Sequence, residues 1–408
     1  MPRGRPGPAP GDQSPYAWVI LVAAMAMVAI GIGSLFSLGV FLQPIGHATG
    51  WSRSSISAIA LFNWIVMGAG SLLWGFLSDR FSPRLVALAG GILVGLGLVL
   101  TSQTGALWQF AGGFGLLVAL GVSALVVPMV STVTRWFTAL RALAVGLVWS
   151  GSGLGVLVIS PLTQWLISAF GWRNAMLMLG VLAWVTIIPA ALLIRDRPEG
   201  GVPDAPGGAG APEAAVSTAG ALRSPVLWTI AFTHFACCAA HSGPIFHMVA
   251  CATGRGLAPM TAASVFGVSG LSSIAGRIGL GLLADRLGIK WVLVTGLFAQ
   301  ALMILSYVQA DDVWTFYALA APFGVTYGGV MPLYAVLTRE YFGEKVMGTA
   351  YGAVFFIACV GMGMGSFAGG WIYDQLGSYT WLFLTSSVVG TMAALLAVTL
   401  RPPRARHP

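Results

Sequence analysis

Twelve apolar stretches, centred near residues 30, 65, 94, 120, 152, 184, 238, 272, 300, 326, 360 and 390, follow one another along the 408-residue chain. Each runs to about 20 residues, enough to cross roughly 30 Å of hydrocarbon. We number them spans 1 to 12. A lipid interior offers no water to backbone N–H and C=O groups, so apolar runs of this length fold as helices. Only 8% of the residues are charged and 57% are hydrophobic, whereas a soluble domain carries roughly 25% charged residues. The expected fold is an all-α membrane protein.

The first 15 residues (MPRGRPGPAPGDQSP) are too rich in Pro and Gly for a helix and read as a disordered tail. The apolar run behind them exceeds the roughly 7 to 15 residues of a signal-peptide core. Lys and Arg are distributed asymmetrically. Sixteen fall in the tails and the loops that follow even-numbered spans; Arg53, Arg173 and Arg255 fall on the other side, and Arg277 lies within span 8. This places both termini in the cytoplasm, with the chain in the inner membrane. The net charge of +8 then reports topology, and no nucleic-acid partner is implied. Cys237, Cys238, Cys251 and Cys359 sit in or at the ends of spans, as small apolar fillers rather than disulfides.

Residues 195–224, rich in Pro, Gly and Ala, read as a flexible cytoplasmic linker between two sets of six spans, 16–194 and 225–400, with a short tail at 401–408. The halves repeat. GFLSDRFSPR (Gly75 to Arg84) matches GLLADRLGIK (Gly281 to Lys290) at an offset of 206, which also pairs Gly50 with Gly256, Gly146 with Gly352, Gly155 with Gly361 and Gly171 with Gly377. The expectation is twelve transmembrane helices in two pseudo-symmetric six-helix halves, with a substrate held between them.

The Gly75 to Arg84 segment resembles the loop joining helices 2 and 3 in the major facilitator superfamily, and Gly281 to Lys290 is its second copy. The resemblance makes Gly75, Asp79, Arg80, Arg84, Gly281, Asp285, Arg286 and Lys290 gating-loop residues that break and re-form contacts as the halves rock. Three further stretches, Leu38 to Ile59, Arg135 to Gly155 and Ser160 to Gly180, resemble the monocarboxylate transporter family and the related oxalate:formate exchangers. Leu140 stands where those families usually carry the first of two arginines, and Arg141 keeps the second.

In both families an arginine of helix 8 binds the substrate carboxylate, and Arg277 falls at the matching place in SSIAGRIGLGLLADRLG. Many monocarboxylate transporters carry an aspartate four residues earlier, where this chain has Ser273. The exchangers add a lysine in helix 11, where Tyr351 to Gly361 contains no cation. A charge inside a span costs about 2.5–3.5 kcal/mol on insertion scales. Two readings of Arg277 therefore stand: an anion ligand, or a side chain snorkelling towards Asp285, roughly 12 Å away along the helix. Its repeat partner is Ser71, so the scaffold itself does not demand a cation there. A single fixed cation with no membrane Asp or Glu suits a monoanion better than a dianion.

Span 7 carries His234 and His241, seven residues apart on one face, and Pro244 beyond them, where a kink is expected. Either histidine, or His247 further along the span, could relay a proton or sit neutral between helices. Tyr327 and Tyr334 of span 10, Trp149 of span 5, Tyr351 and Phe355 of span 11, Ser34 and Ser37 of span 1 and Ser123 of span 4 are the remaining candidates for a substrate pocket. The favoured function is a secondary transporter of a small organic monocarboxylate, acting as a monomer, with no cofactor or metal. Proton cotransport, anion exchange and facilitation stay open. The rival readings are a proton-coupled efflux transporter and a non-transporting membrane sensor. Span 5 lacks the exporters' Gly-Pro, and no appended soluble domain supports a sensor. No nucleophile or phosphate loop supports an enzyme.

Overall fold

A computed structural model describes residues 15–137, 141–195, 218–342 and 346–400. Among the described residues there is no strand. Eleven of the described helices are long and apolar enough to span a bilayer, and one of them, Ala144–Leu192, has 49 residues. At about 1.5 Å per residue it would reach roughly 74 Å, more than twice the hydrocarbon thickness. It reverses at Gly171, whose backbone is non-helical (φ 78°, ψ 163°).

Contacts on either side of Gly171 run in opposite senses. Before it, Gly151 lies against Met25 and Gly155 against Ala29, parallel to span 1. After it, Arg173 donates to the Ser102 carbonyl at 2.9 Å and Trp184 to the Ile92 carbonyl at 3.2 Å, antiparallel to Pro83–Ser102. The eleven helices therefore make twelve passages, and the first and last described residues, Pro15 and Leu400, lie at one end of the bundle, which we call the terminal end. The opposite, distal end carries the corners at Gly50, Gly171, Gly256 and Gly377.

Those four corner glycines have φ of 75°, 78°, 92° and 65°, a region that costs other residues dearly. They form two pairs 206 residues apart, so the repeat read in the sequence is a repeat of backbone conformation. Packing repeats too. A Cβ on Gly155 would strike the Ala29 carbonyl, and one on Gly361 would strike the Phe235 carbonyl; both members of each contact are related by the same offset. Backbones at such close range are how helices associate in lipid, where apolar side chains gain little from leaving the tails.

Span 1 is divided into Pro15–Phe36 and Leu38–Thr49. The Ser37 hydroxyl donates to the Ser34 carbonyl at 2.6 Å, competing for a group that the helix would use. Spans 2 and 3 are Arg53–Arg80 and Pro83–Ser102, so the Gly75 to Arg80 part of the repeated motif is helical and only Phe81 and Ser82 form the corner. Its second copy behaves alike: span 8, Pro259–Leu287, contains Gly281 to Leu287, and Gly288 (φ 86°) turns the chain into span 9, Ile289–Ser306. Span 4 includes a π-helical stretch, Ala111–Val118, leading into Ala119–Trp136.

Span 7, Pro225–Gly254, continues as one helix through Pro244, where the sequence predicts a kink. Spans 10, 11 and 12 are Val313–Phe342, Met347–Leu376 and Thr380–Val398. Residues 1–14 of the expected 1–15 tail, the 401–408 tail and most of the 195–224 linker lie outside the described residues, while Pro15 already begins span 1 and Thr218–Arg223 within that linker is a short helix.

Candidate functional site

Spans 7 and 10 run antiparallel, and their two-turn periodicities match. His234 stacks on Tyr334 with ring centroids 3.9 Å apart, and His241 faces Tyr327 at 5.6 Å. His241 Nδ1 lies 2.7 Å from the Cys237 carbonyl, which can only accept, so Nδ1 carries the proton and Nε2 keeps a lone pair. The Gln300 amide reaches the same carbonyl at 3.4 Å, and the Cys237 thiol donates to Gln300 Oε1 at 3.7 Å. Tyr334 donates to the Thr233 carbonyl at 3.4 Å. All six side chains are buried, and together they line the C-terminal half with polar groups in an apolar helix bundle.

Arg277 adjoins this seam from span 8. Spans 8 and 10 lie so close that a Cβ on Gly276 would strike the Val325 carbonyl, and one on Gly328 would meet the Ser273 Cβ at 2.5 Å. That proximity brings Tyr327 beside both Ser273 and the Arg277 guanidinium. Arg277 is half-buried, and its Nη1 donates to the Trp149 carbonyl at 2.6 Å, crossing from one half of the molecule to the other. The carbonyl already accepts from the Ser152 hydroxyl at 2.8 Å. Among the described residues this is the guanidinium's one hydrogen bond and no carboxylate pairs with it, so most of its five donors remain for a ligand.

The other candidates are spread more widely. Trp149 is at the site, and it is the backbone carbonyl that makes the contact. Tyr351 and Phe355 are half-buried neighbours on span 11, with ring centroids 6.2 Å apart. Ser34 and Ser37 are buried, the Ser37 hydroxyl bound within its own helix. Ser123 donates to the Leu120 carbonyl at 2.8 Å and packs where a Cβ on Gly70 would be, between spans 2 and 4 of one half. Ser71, the repeat partner of Arg277, donates to Met67 of its own helix at 2.8 Å. Of the gating residues, Arg84 and Arg286 are exposed and Lys290 lies over the Trp291 ring at 5.1 Å. The side chains of Asp79, Arg80 and Asp285 and the surroundings of Gly75 lie outside the described residues.

A second polar cluster, at the distal end, joins the two halves; the sequence marks Arg53 there as a distal cation and His247 as a histidine of span 7, and does not connect them. Asp374, near the end of span 11, accepts from the backbone N–H of Arg53 at 3.2 Å and of Ser54 at 2.7 Å, capping the start of span 2. The Arg53 guanidinium lies 3.6 Å from the Tyr373 ring centroid and donates to the Tyr379 hydroxyl. Tyr379 in turn meets His247 Nδ1 at 3.0 Å, and His247 Nε2 lies 3.0 Å from the Ser366 carbonyl and 3.3 Å from the Ser57 hydroxyl. Burial pushes the Tyr379 phenol well above its usual range, against the pull of Arg53. A Cβ on Gly370 would meet the Ser57 hydroxyl at 2.5 Å, so the two halves touch here through small residues as well.

The other two distal cations are also engaged. Arg173 stacks on Trp172 at 4.4 Å while bound to Ser102. Arg255 donates to the carbonyls of Tyr307 (2.9 Å), Val308 (3.3 Å) and Ala310, and pairs with Asp311 at 3.7 Å. Each of the three exceptions to the charge asymmetry thus fastens a corner or a seam.

Comparison with known proteins gives consistent results. The sequence profile described as Major Facilitator Superfamily matches residues 18–288 and 244–408. Monocarboxylate transporter 13 of Rattus norvegicus is 29% identical over 94% of this chain and 89% of its own length. Monocarboxylate transporter 11 of Mus musculus is 30% identical over 94% of this chain and 87% of its own. Among solved structures, an inward-facing, unoccupied bacterial homologue of the human lysosomal transporter Spinster superposes with a TM-score of 0.75 at 15% identity, covering 95% of this chain and 97% of that one. That likeness shows the fold.

Proposed function

We propose, from the premise that this chain belongs to the major facilitator superfamily in its monocarboxylate-transporter-like branch, that it carries a small organic monocarboxylate by alternating access with Arg277 as the anion's ligand. Transport as such follows from the family; the substrate and the arginine's role are the proposal. The observation that carries it is the Arg277 guanidinium at the seam between the halves, held by a neutral carbonyl and, among the described residues, by no carboxylate.

A carboxylate offers two charged acceptors to the planar donor pair of a guanidinium and outcompetes a helix carbonyl that is already shared with Ser152. Binding would then exchange the tie between spans 8 and 5 for a tie to substrate. The loaded carrier loses both its uncompensated charge and one contact that fixes the halves, and this favours rocking once the anion is bound. Tyr327 and the Trp149 region would enclose the organic part. By the Lys and Arg distribution, the terminal end faces the cytoplasm.

The test is uptake of labelled lactate, pyruvate and acetate into proteoliposomes, with succinate and oxalate as dianion competitors. Arg277→Lys should insert and fold normally yet lose most monocarboxylate uptake, because a point charge does not reproduce the fork. Undiminished uptake by that variant, or stronger competition by the dianions, would overturn the assignment.

A further inference from the structure

The distal cluster is more than a seal. His247 lies on span 7 and its ring is gripped from three other elements: Ser57 of span 2, the Ser366 carbonyl of span 11 and Tyr379 ahead of span 12. Its hydrogen-bond polarity is fixed by its partners. The Ser366 carbonyl can only accept, so Nε2 carries the proton; Nδ1 is then the acceptor, and the Tyr379 hydroxyl donates to it while accepting from Arg53. Arg53 thus reaches a neutral histidine of the opposite half through one phenol, with every member satisfied.

A second proton on His247 has no place in this arrangement. It would occupy Nδ1, the atom that accepts from Tyr379, and leave the phenol with two donors facing it and its own proton without an acceptor. It would also add a cation beside Arg53. The charged and titratable groups facing His247 are Arg53 from span 2, Asp374 and Tyr373 from span 11, Tyr379, and Cys251 one turn along span 7. Asp374 is the one anion among them, and its oxygens already serve the Arg53 and Ser54 amides. Gly369 packs against the ring, with a Cβ there falling 2.7 Å from Nε2, so the imidazole cannot swing away while the gate is closed.

We propose that His247 is the proton-sensing pin of a distal gate: its neutral form locks Arg53, Tyr379 and Ser57 across the two halves, and its protonation releases them. The inference rests on the alternating-access reading. The sign follows from linkage: the closed gate holds the extra proton less tightly than the open, hydrated one, so acid favours opening. If the open form holds it tenfold more tightly, the open-to-closed ratio rises by up to about tenfold between neutral and acid buffer.

The test places spin labels at Ala48 and Ala258, exposed positions on opposite halves flanking a distal cleft of about 200 Å³. The four native cysteines, all buried, stay in place. Electron–electron distance measurements on the full chain in nanodiscs at pH 7.5 and 5.5 should show a longer distance gaining several-fold in population at pH 5.5. His247→Gln should abolish the response, and Tyr379→Phe, a milder change, should weaken it. Asp374→Asn should widen the distal end at both pH values. Distances that ignore pH while Asp374→Asn still opens the gate overturn the proton step. Distances unmoved by Asp374→Asn overturn the gate itself. Loss of the transport reading is a separate result, visible as uptake independent of Arg277.

Discussion

The two halves share a backbone and differ in what they bury. Their distal corners turn at glycines 206 residues apart, backbone-to-backbone helix contacts recur at Gly155 and Gly361, and Trp108 and Trp314 stand out from corresponding corners at 75% and 78% exposure. Yet the position that holds Ser71 in the N-terminal half holds Arg277 in the other, and the buried His234, His241, Gln300, Tyr327 and Tyr334 have no counterpart seam in spans 1 to 6, whose buried polar side chains among the described residues are serines, threonines, Asn63 and Gln164. Duplication preserved the scaffold, which is held by backbone proximity, and left the polar interior free to diverge on one side. Substrate chemistry can therefore be asymmetric on a symmetric frame.

The asymmetry should break most visibly at Arg277. Arg277→Ser makes the C-terminal half resemble its partner, and hydrogen bonds to a charged group are worth about 1.5–3 kcal/mol each, so uptake should fall by roughly tenfold or more. Adding Ser71→Arg should not restore it, since the aromatic and histidine surroundings are missing from that half. Rescue would mean that the two sites are interchangeable.

The shared scaffold predicts the opposite outcome at its contacts. Gly155→Leu and Gly361→Leu each push a side chain into a facing backbone, where overpacking costs about 1–3 kcal/mol or more. Both should lower the melting temperature in detergent, and by similar amounts; a large inequality would show that the halves do not bear equal strain.

Within the polar seam, His234→Phe keeps the stack on Tyr334, an arrangement worth about 0.5–1.5 kcal/mol. Melting temperature and uptake should change little, in contrast to His241→Phe, which removes the donor to Cys237. The smallest effect is expected at a corner where the halves differ. Asp312 accepts from Trp314 N–H (2.9 Å) and Thr315 N–H (3.1 Å) at the start of span 10, while its repeat partner Ala106 has no such acceptor and Gln109 Oε1 takes the Gly105 and Ala106 amides instead. The Thr315 hydroxyl and these amides hold the Asp312 carboxyl below its usual range. Asp312→Ala should lower the melting temperature slightly at neutral pH. Stabilisation by a depressed carboxyl is lost as pH falls through its folded pKa, so the gap between the two proteins should close in acid.

Much of this was legible in the sequence because its signals are local. Apolar run length gives the spans, corner glycines give the repeat, and a charge within a span is costly enough to attract notice wherever it lies. The pairing of span 7 histidines with span 10 tyrosines was half visible, as two heptad spacings with no means of joining them. Trp149 was visible as an aromatic side chain, but its contact with Arg277 is through the carbonyl, which every residue possesses. The distal gate was invisible for another reason: Arg53 reads as a residue after a corner, Tyr379 as part of a turn and Asp374 as a helix end. What makes them a unit is contact between spans 2, 7 and 11, and no periodicity within one span reports it.

The Arg53 cluster also sets a timetable for biogenesis. Its partners Asp374 and Tyr379 lie 321 and 326 residues downstream. At about 5–20 residues per second, a ribosome needs roughly 15–65 s to make that stretch. During this interval the first spans are already in the membrane while the Arg53 side chain waits for its partners. Chains arrested before residue 374 would therefore leave the distal start of span 2 uncapped and its cation unstacked, a defect that quality-control proteases could recognise.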